Sequence, residues 1–131
     1  YKQRNTGEPY TAEKVLSIRR GSCRDLTVLY IAAARAAGLA ARFVSGYYFD
    51  QSPKHPQLHA WAEVYIPGGG WRGYDPTLGL ACYGHHIALS AGASSSQTAA
   101  VEGAFLGKPE SQMQVNIEYE YLKQPARPVE F

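Results

Sequence analysis

The sequence predicts an α+β fold in which one central helix, headed by a cysteine, packs on an antiparallel sheet. Three observations carry that expectation. Residues 24–37 hold Leu26, Val28, Leu29, Ile31, Ala32, Ala33, Ala36 and Ala37, a run too dense and too long for a strand, with small alanines that let a second layer approach closely. Residues 59–66 alternate instead, sending His59, Trp61, Glu63 and Tyr65 to one face and Ala60, Ala62, Val64 and Ile66 to the other. Pro67-Gly68-Gly69-Gly70 then turns that strand into a short antiparallel partner at 71–75.

The other elements follow in chain order. Thr11-Ala12-Glu13-Lys14 offers an N-cap before Val15, Leu16 and Ile18, predicting a short helix that ends at Gly21 and delivers the chain to Cys23. The central helix is expected to be mostly buried and to stop at Gly38 in a left-handed conformation. Residues 41–48 have β-branched and aromatic content in Phe43, Val44, Tyr47 and Tyr48, a strand bounded by turn formers at 50–56. Weaker alternation predicts strands at 86–90 and 114–121, separated by a Ser/Ala/Gly-rich surface loop at 91–100, and Pro125 and Pro128 mark a tail with little regular structure.

Length and composition bound the function classes. With 131 residues, 45% hydrophobic and 18% charged, the chain reads as one globular domain over residues 1–131. A net charge of +2, with no basic cluster beyond Arg19-Arg20, gives no electrostatic case for nucleic acid or an anionic membrane. No apolar run approaches the roughly 18 to 20 residues of a membrane span, and the first residues are not a signal peptide. The compartment is left open, leaning to the cytoplasm, and the oligomeric state is not legible. A start without methionine suggests a piece excised from a longer protein.

The chemistry lies in three residues. Cys23 stands in Arg19-Arg20-Gly21-Ser22-Cys23-Arg24-Asp25-Leu26 at the head of the helix, His59 follows 36 residues later, and Asp75 comes 16 after that. A thiolate at a helix N-terminus is stabilised by the free backbone N–H groups there. Thiol attack on a carbonyl also needs a proton shuttle and donors for the oxyanion. Cys23 is the candidate nucleophile, His59 its base, and Asp75 the group that fixes the imidazole tautomer. The Cys23 backbone N–H is one candidate oxyanion donor; the second lies upstream or in a side chain such as Trp61. The hairpin brings His59 and Asp75 onto strands about 4.8 Å apart. From a turn centred at Gly69, His59 is ten residues back and Asp75 six forward, so a bulge or longer loop is expected to bring them level.

Each residue also has a structural use. A cysteine packs well in a core, a strand histidine is often structural, and Asp75 before Pro76 suits a turn. Asp25 reads as a first-turn carboxylate favoured by the helix dipole. Trp61 and Trp71 read as core or cleft-wall aromatics, and His55, His85 and His86 as exposed. No Cys23–Cys82 bridge is expected. A zinc site from both cysteines and two histidines is the competing use, but there is no Cys-x-x-Cys or His-x-x-x-His pair, so neither metal nor cofactor is expected.

Residues 21–79 resemble the transglutaminase-like superfamily, a papain-like cysteine fold. The resemblance rests on Gly-Ser-Cys-Arg-Asp-Leu with the helix after it and Ala-Gly-Leu-Ala-Ala-Arg-Phe-Val-Ser-Gly-Tyr, on His-Ala-Trp-Ala-Glu-Val-Tyr-Ile-Pro-Gly-Gly-Gly-Trp, and on Tyr-Asp-Pro-Thr-Leu-Gly, in that order. It implies that Cys23, His59 and Asp75 match the family's triad. It also implies a papain-like core, with the cysteine heading a helix on an antiparallel sheet. The match is closest to bacterial proteins in which this core follows a β-rich domain. Where such proteins often carry Gly-Arg-Asp followed by Asp and Pro, this chain has Gly92-Ala93-Ser94-Ser95-Ser96-Gln97-Thr98-Ala99-Ala100. The implied activity is acyl transfer to an amine, or hydrolysis, of peptide or glutaminyl amides through a Cys23 thioester; the sequence shows no acidic cluster of the calcium-binding kind, so no metal requirement is expected. The alternative is a non-catalytic protein–protein interaction module that retains the fold.

Overall fold

The computed structural model describes residues 1–4, 7–49, 57–99, 106–107 and 116–118. Helix α1 (Ala12–Ile18) opens on Thr11, whose hydroxyl accepts the Lys14 N–H, and ends on Arg19 in the left-handed region at φ 51°, short of the predicted stop at Gly21. Gly21 serves the next helix instead. A Cβ there would lie 2.6 Å from Asp25 Cβ, so a side chain at 21 would displace the carboxylate that starts α2.

Helix α2 (Cys23–Ala36) begins with a capping box: Ser22 is the N-cap, and Asp25 in the third helical position accepts the Ser22 N–H at 2.7 Å and its hydroxyl at 2.8 Å. It ends as predicted. Gly38 takes φ 80°, Gly38 N–H donates to Arg35 O, and Leu39 N–H donates to Ala34 O, the paired bonds of a Schellman ending. The helix is less buried than expected. Asp25, Thr27, Ile31 and Ala34 are buried, whereas Ala33, Arg35 and Ala36 are exposed. Alanine is apolar but exposes so little surface that an alanine-rich run does not demand cover on every side.

Strands β1 (Ala41–Tyr48), β2 (Gln57–Ile66), β3 (Gly70–Asp75), β4 (Leu80–Ala81) and β5 (His86–Gly92) form one antiparallel sheet in the order β4-β3-β2-β1-β5. On one face Ile31 and Ala34 of α2 meet Ala41 and Phe43 of β1 and Ala60, Ala62 and Val64 of β2. That is the Ala/Val face expected from the alternation. Cutting Phe43 back to alanine at this contact costs about 3–5 kcal/mol.

The other face closes on itself. In a flat sheet β3 and β5, three strand spacings apart, would be separated by roughly 14 Å. Yet Asp75 of β3 and His86 of β5 are hydrogen-bonded at 2.9 Å, so the sheet curls strongly toward this side. Trp61, only 2% exposed, fills the concavity. Glycines make room for it: a Cβ on Gly46 would lie 2.7 Å from the indole and 2.1 Å from Ile87 O.

Strand β5 runs further than predicted, and a 3-10 turn (Ser95–Thr98) follows, so only part of 91–100 is irregular. This segment is held without charge of its own. Gln97 Oε1 accepts the Ala93 N–H at 2.8 Å, Arg35 donates to Ala93 O at 2.6 Å, and Ser45 Oγ donates to Thr98 O at 2.7 Å. The turn formers at 50–56, the proline tail and, apart from 116–118, the predicted strand at 114–121 lie outside the described residues. Among the described residues no helix is long and apolar enough to cross a membrane.

Candidate active site

Ala62 pairs with Tyr74 across the β2–β3 hairpin, so Trp61 and Asp75 come next along the two strands. His59 lies two residues beyond Trp61 on the same face, diagonal to Asp75. No bulge is needed to bring the two level. The imidazole spans the diagonal, and His59 Nε2 lies 2.7 Å from Asp75 Oδ2.

Asp75 is fully buried and accepts from four donors. Its Oδ1 takes the Thr77 N–H at 2.9 Å and the Leu78 N–H at 3.2 Å, which is the turn role expected of an aspartate before proline. Its Oδ2 takes His59 Nε2 at 2.7 Å and His86 Nε2 at 2.9 Å. An ionised carboxylate only accepts, so both Nε2 atoms carry hydrogen. Burial works to raise the Asp75 pKa, but these bonds, led by His59 and His86, hold it down at about 2.

For His59, burial favours the neutral ring; the Asp75 hydrogen bond, then the nearby Cys23 sulfur and the charges of both, outweigh it and raise the pKa to about 9. With Nε2 committed to Asp75, Nδ1 is the nitrogen left for the thiol. Cys23 is the first residue of α2, so its backbone N–H is among those that a helix leaves without an internal partner. The structure thus brings all three sequence-predicted residues together: sulfur at a helix head, imidazole on β2, carboxylate at the end of β3.

Cys82 sits in a different setting. A Cβ on Gly73 would sit 2.8 Å from Cys82 Cβ and 2.9 Å from its sulfur, so the thiol is packed into the notch that this glycine leaves. Burial, then the charges of Asp75 and Glu63, push its pKa up to about 12. Both cysteines are free.

Three readings from the sequence are corrected. His86 is not exposed: its side chain is 4% accessible and bonded to Asp75. His85 is half-buried rather than exposed; His55 lies outside the described residues. Trp71 is neither core nor cleft wall, because it is exposed, with the Arg42 guanidinium 4.2 Å above its ring and Tyr65 against its edge. The alternation at 86–90 predicts the strand that His86 heads, with His85 just before it. It carries no information on the sheet curl that turns one of them toward β3.

The donor atoms of His59, Asp75 and His86 lie within 4.8 Å of one another and are the residues placed to hold a cation. The two imidazole–carboxylate hydrogen bonds already account for that convergence, and it uses neither cysteine.

Residues 1–76 match the family model of the transglutaminase-like superfamily, a span that contains all three site residues. The chain is 29% identical over 105 residues to an uncharacterized protein of Mycobacterium leprae, covering 76% of this chain and 37% of that one. It is 38% identical over 88 residues to an uncharacterized protein of Mycobacterium tuberculosis, covering 59% and 28%. A crystal structure of a proposed cysteine protease from Cytophaga hutchinsonii superposes with a TM-score of 0.62 at 34% identity, over 72% of this chain and 32% of that chain. The chain therefore spans only about a third of the length of these relatives. With the family model covering more than half of its residues, the chain belongs to the transglutaminase-like superfamily.

Proposed function

We propose that this domain is a cysteine-dependent enzyme that moves acyl groups through a thioester on Cys23, acting on amide bonds of peptide or glutaminyl substrates. The observation that carries the reading is His59, bonded on one side to a buried, ionised carboxylate and acted on by the Cys23 sulfur on the other. Membership of a family with cysteine chemistry supports it.

In this mechanism the Cys23 sulfur, its proton held by His59, attacks the amide carbon and the carbonyl π pair moves onto oxygen. The Cys23 backbone N–H is placed to meet that charge. Collapse breaks the C–N bond, and the His59 imidazolium gives its proton to the departing amine. Water or a second amine then loses a proton to His59 as it attacks the thioester, and the sulfur leaves. Asp75 stays ionised throughout and keeps the ring in the tautomer that offers Nδ1 to sulfur. The sequence expectation of no metal and no cofactor is kept.

The test is incubation with a panel of glutaminyl and other amide peptides, with and without a primary amine, followed by mass spectrometry of Cys23. A Cys23 acyl adduct that is missing in Cys23→Ala is the expected result, together with alkylation of Cys23 at neutral pH well ahead of Cys82. No adduct, and equally slow labelling of both thiols, would leave the interaction-module reading in its place.

A further inference from the structure

The triad carboxylate carries one imidazole more than the proposed chemistry uses. His86 donates Nε2–H to Asp75 Oδ2 at 2.9 Å, the same oxygen that takes His59 Nε2–H at 2.7 Å. The His86 ring is wedged edge-on against Trp61, centroids 5.1 Å apart, and tilted against Tyr48 at 5.0 Å. It has no room to swing away. Among the described residues its buried Nδ1 has no hydrogen-bond partner. A phenyl ring would fill this space and leave no polar atom stranded, so what the imidazole brings to the position is the Nε2–H donor.

We propose that His86 is a positioning residue of the thiol site: its hydrogen bond to the oxygen shared with His59 fixes Asp75, and through it the angle at which His59 presents Nδ1 to Cys23. The proposal rests on the acyl-transfer reading only for its kinetic consequence. Without the donor, Asp75 is held by His59 and by two backbone N–H groups on its other oxygen, Thr77 and Leu78. The freed charge on Oδ2 then falls on His59 alone, which strengthens the imidazolium and loosens its orientation. The titratable groups facing His86 are Asp75 on β3, His59 on β2, Tyr48 on β1 and His85 beside it.

Two variants separate the ring from its donor. His86→Phe keeps an aromatic ring and removes the N–H, and His86→Gln restores an amide N–H without the imidazole. Two readouts apply to each: kcat and KM on an amide substrate, and the pH profile of Cys23 alkylation by iodoacetamide, which needs no turnover. His86→Phe is expected to lower kcat by about 10- to 100-fold with KM little changed. It should also move the alkaline limb of the alkylation profile upward, and His86→Gln should recover most of both. Nitrogen NMR of the unaltered protein should find His86 Nε2 protonated, a result that holds even where His86→Phe does not fold. A His86→Phe protein with unchanged kcat and pH profile, or an unprotonated His86 Nε2, overturns the proposal. If the parent protein turns over no amide, the acyl-transfer reading fails, while the alkylation profile and NMR still decide the role of His86.

Discussion

Asp25 and Asp75 are two fully buried carboxylates built alike, each accepting four hydrogen bonds and each held below the usual carboxylate pKa. Asp25 receives the Arg4 guanidinium, the Tyr10 and Ser22 backbone N–H groups and the Ser22 hydroxyl. Those donors are a guanidinium, backbone amides and a hydroxyl, so Asp25 ties residues 4 and 10 to the head of α2 and caps that helix. Two of the four donors to Asp75 are imidazoles. Burial and a depressed pKa are thus common to a clamp and to the proposed orienter of the base; the chemistry of the partners tells them apart.

Substituting each aspartate should pull that contrast furthest apart. Asp75→Asn should cost about 10⁴-fold in kcat, because an amide nitrogen against His59 forces the wrong tautomer, with circular dichroism unchanged. Activity near that of the parent would reduce Asp75 to a second clamp. Asp25→Ala strands a guanidinium, two N–H groups and a hydroxyl, and should lower the free energy of urea unfolding by about 3 kcal/mol. Its loss of turnover per folded molecule should be far smaller than that of Asp75→Asn; a comparable loss would mean that the clamp also sets the position of Cys23.

The smallest effect is in pH dependence. The folded pKa of His59, about 9, lies above its ordinary 6.5, so its share of stability is full below about pH 6.5 and is lost as pH rises through 9. The folded pKa of Asp75, about 2, lies below its ordinary 3.8, so its share is full above 3.8 and is lost as pH falls through 2. Urea unfolding at stepped pH should therefore find a plateau between those ordinary values and an alkaline decline on the order of 2 kcal/mol. Asp75→Asn should flatten that decline and Asp25→Asn should not. An alkaline slope that survives Asp75→Asn would detach His59 from this carboxylate.

The sequence made the three site residues legible because each sits beside a strong local signal: a capped helix start, an alternating strand, and a glycine-rich turn whose partner ends in Asp-Pro. Local periodicity also separated the two faces of β2 correctly. What it missed is long-range. The diagonal reach from His59 to Asp75 depends on strand register rather than distance from the turn, and the approach of His86 depends on a curl that accumulates over four strands. The exposure of Ala33 and Ala36 was hidden for a different reason, since small apolar residues look alike in a core and at a surface.

Trp61 has a consequence for folding fidelity. Its indole is accommodated where Gly46 on β1 offers no side chain, and Gly73 on β3 lies 3.5 Å from the same ring at its Cβ position. Slipping either neighbouring strand by two residues keeps the apolar alternation but drives a side chain into the ring, so the tryptophan works as a key that only one alignment of the three strands admits. Because His59 stands two positions from that key, the reach of its imidazole toward Asp75 is decided when the sheet zips.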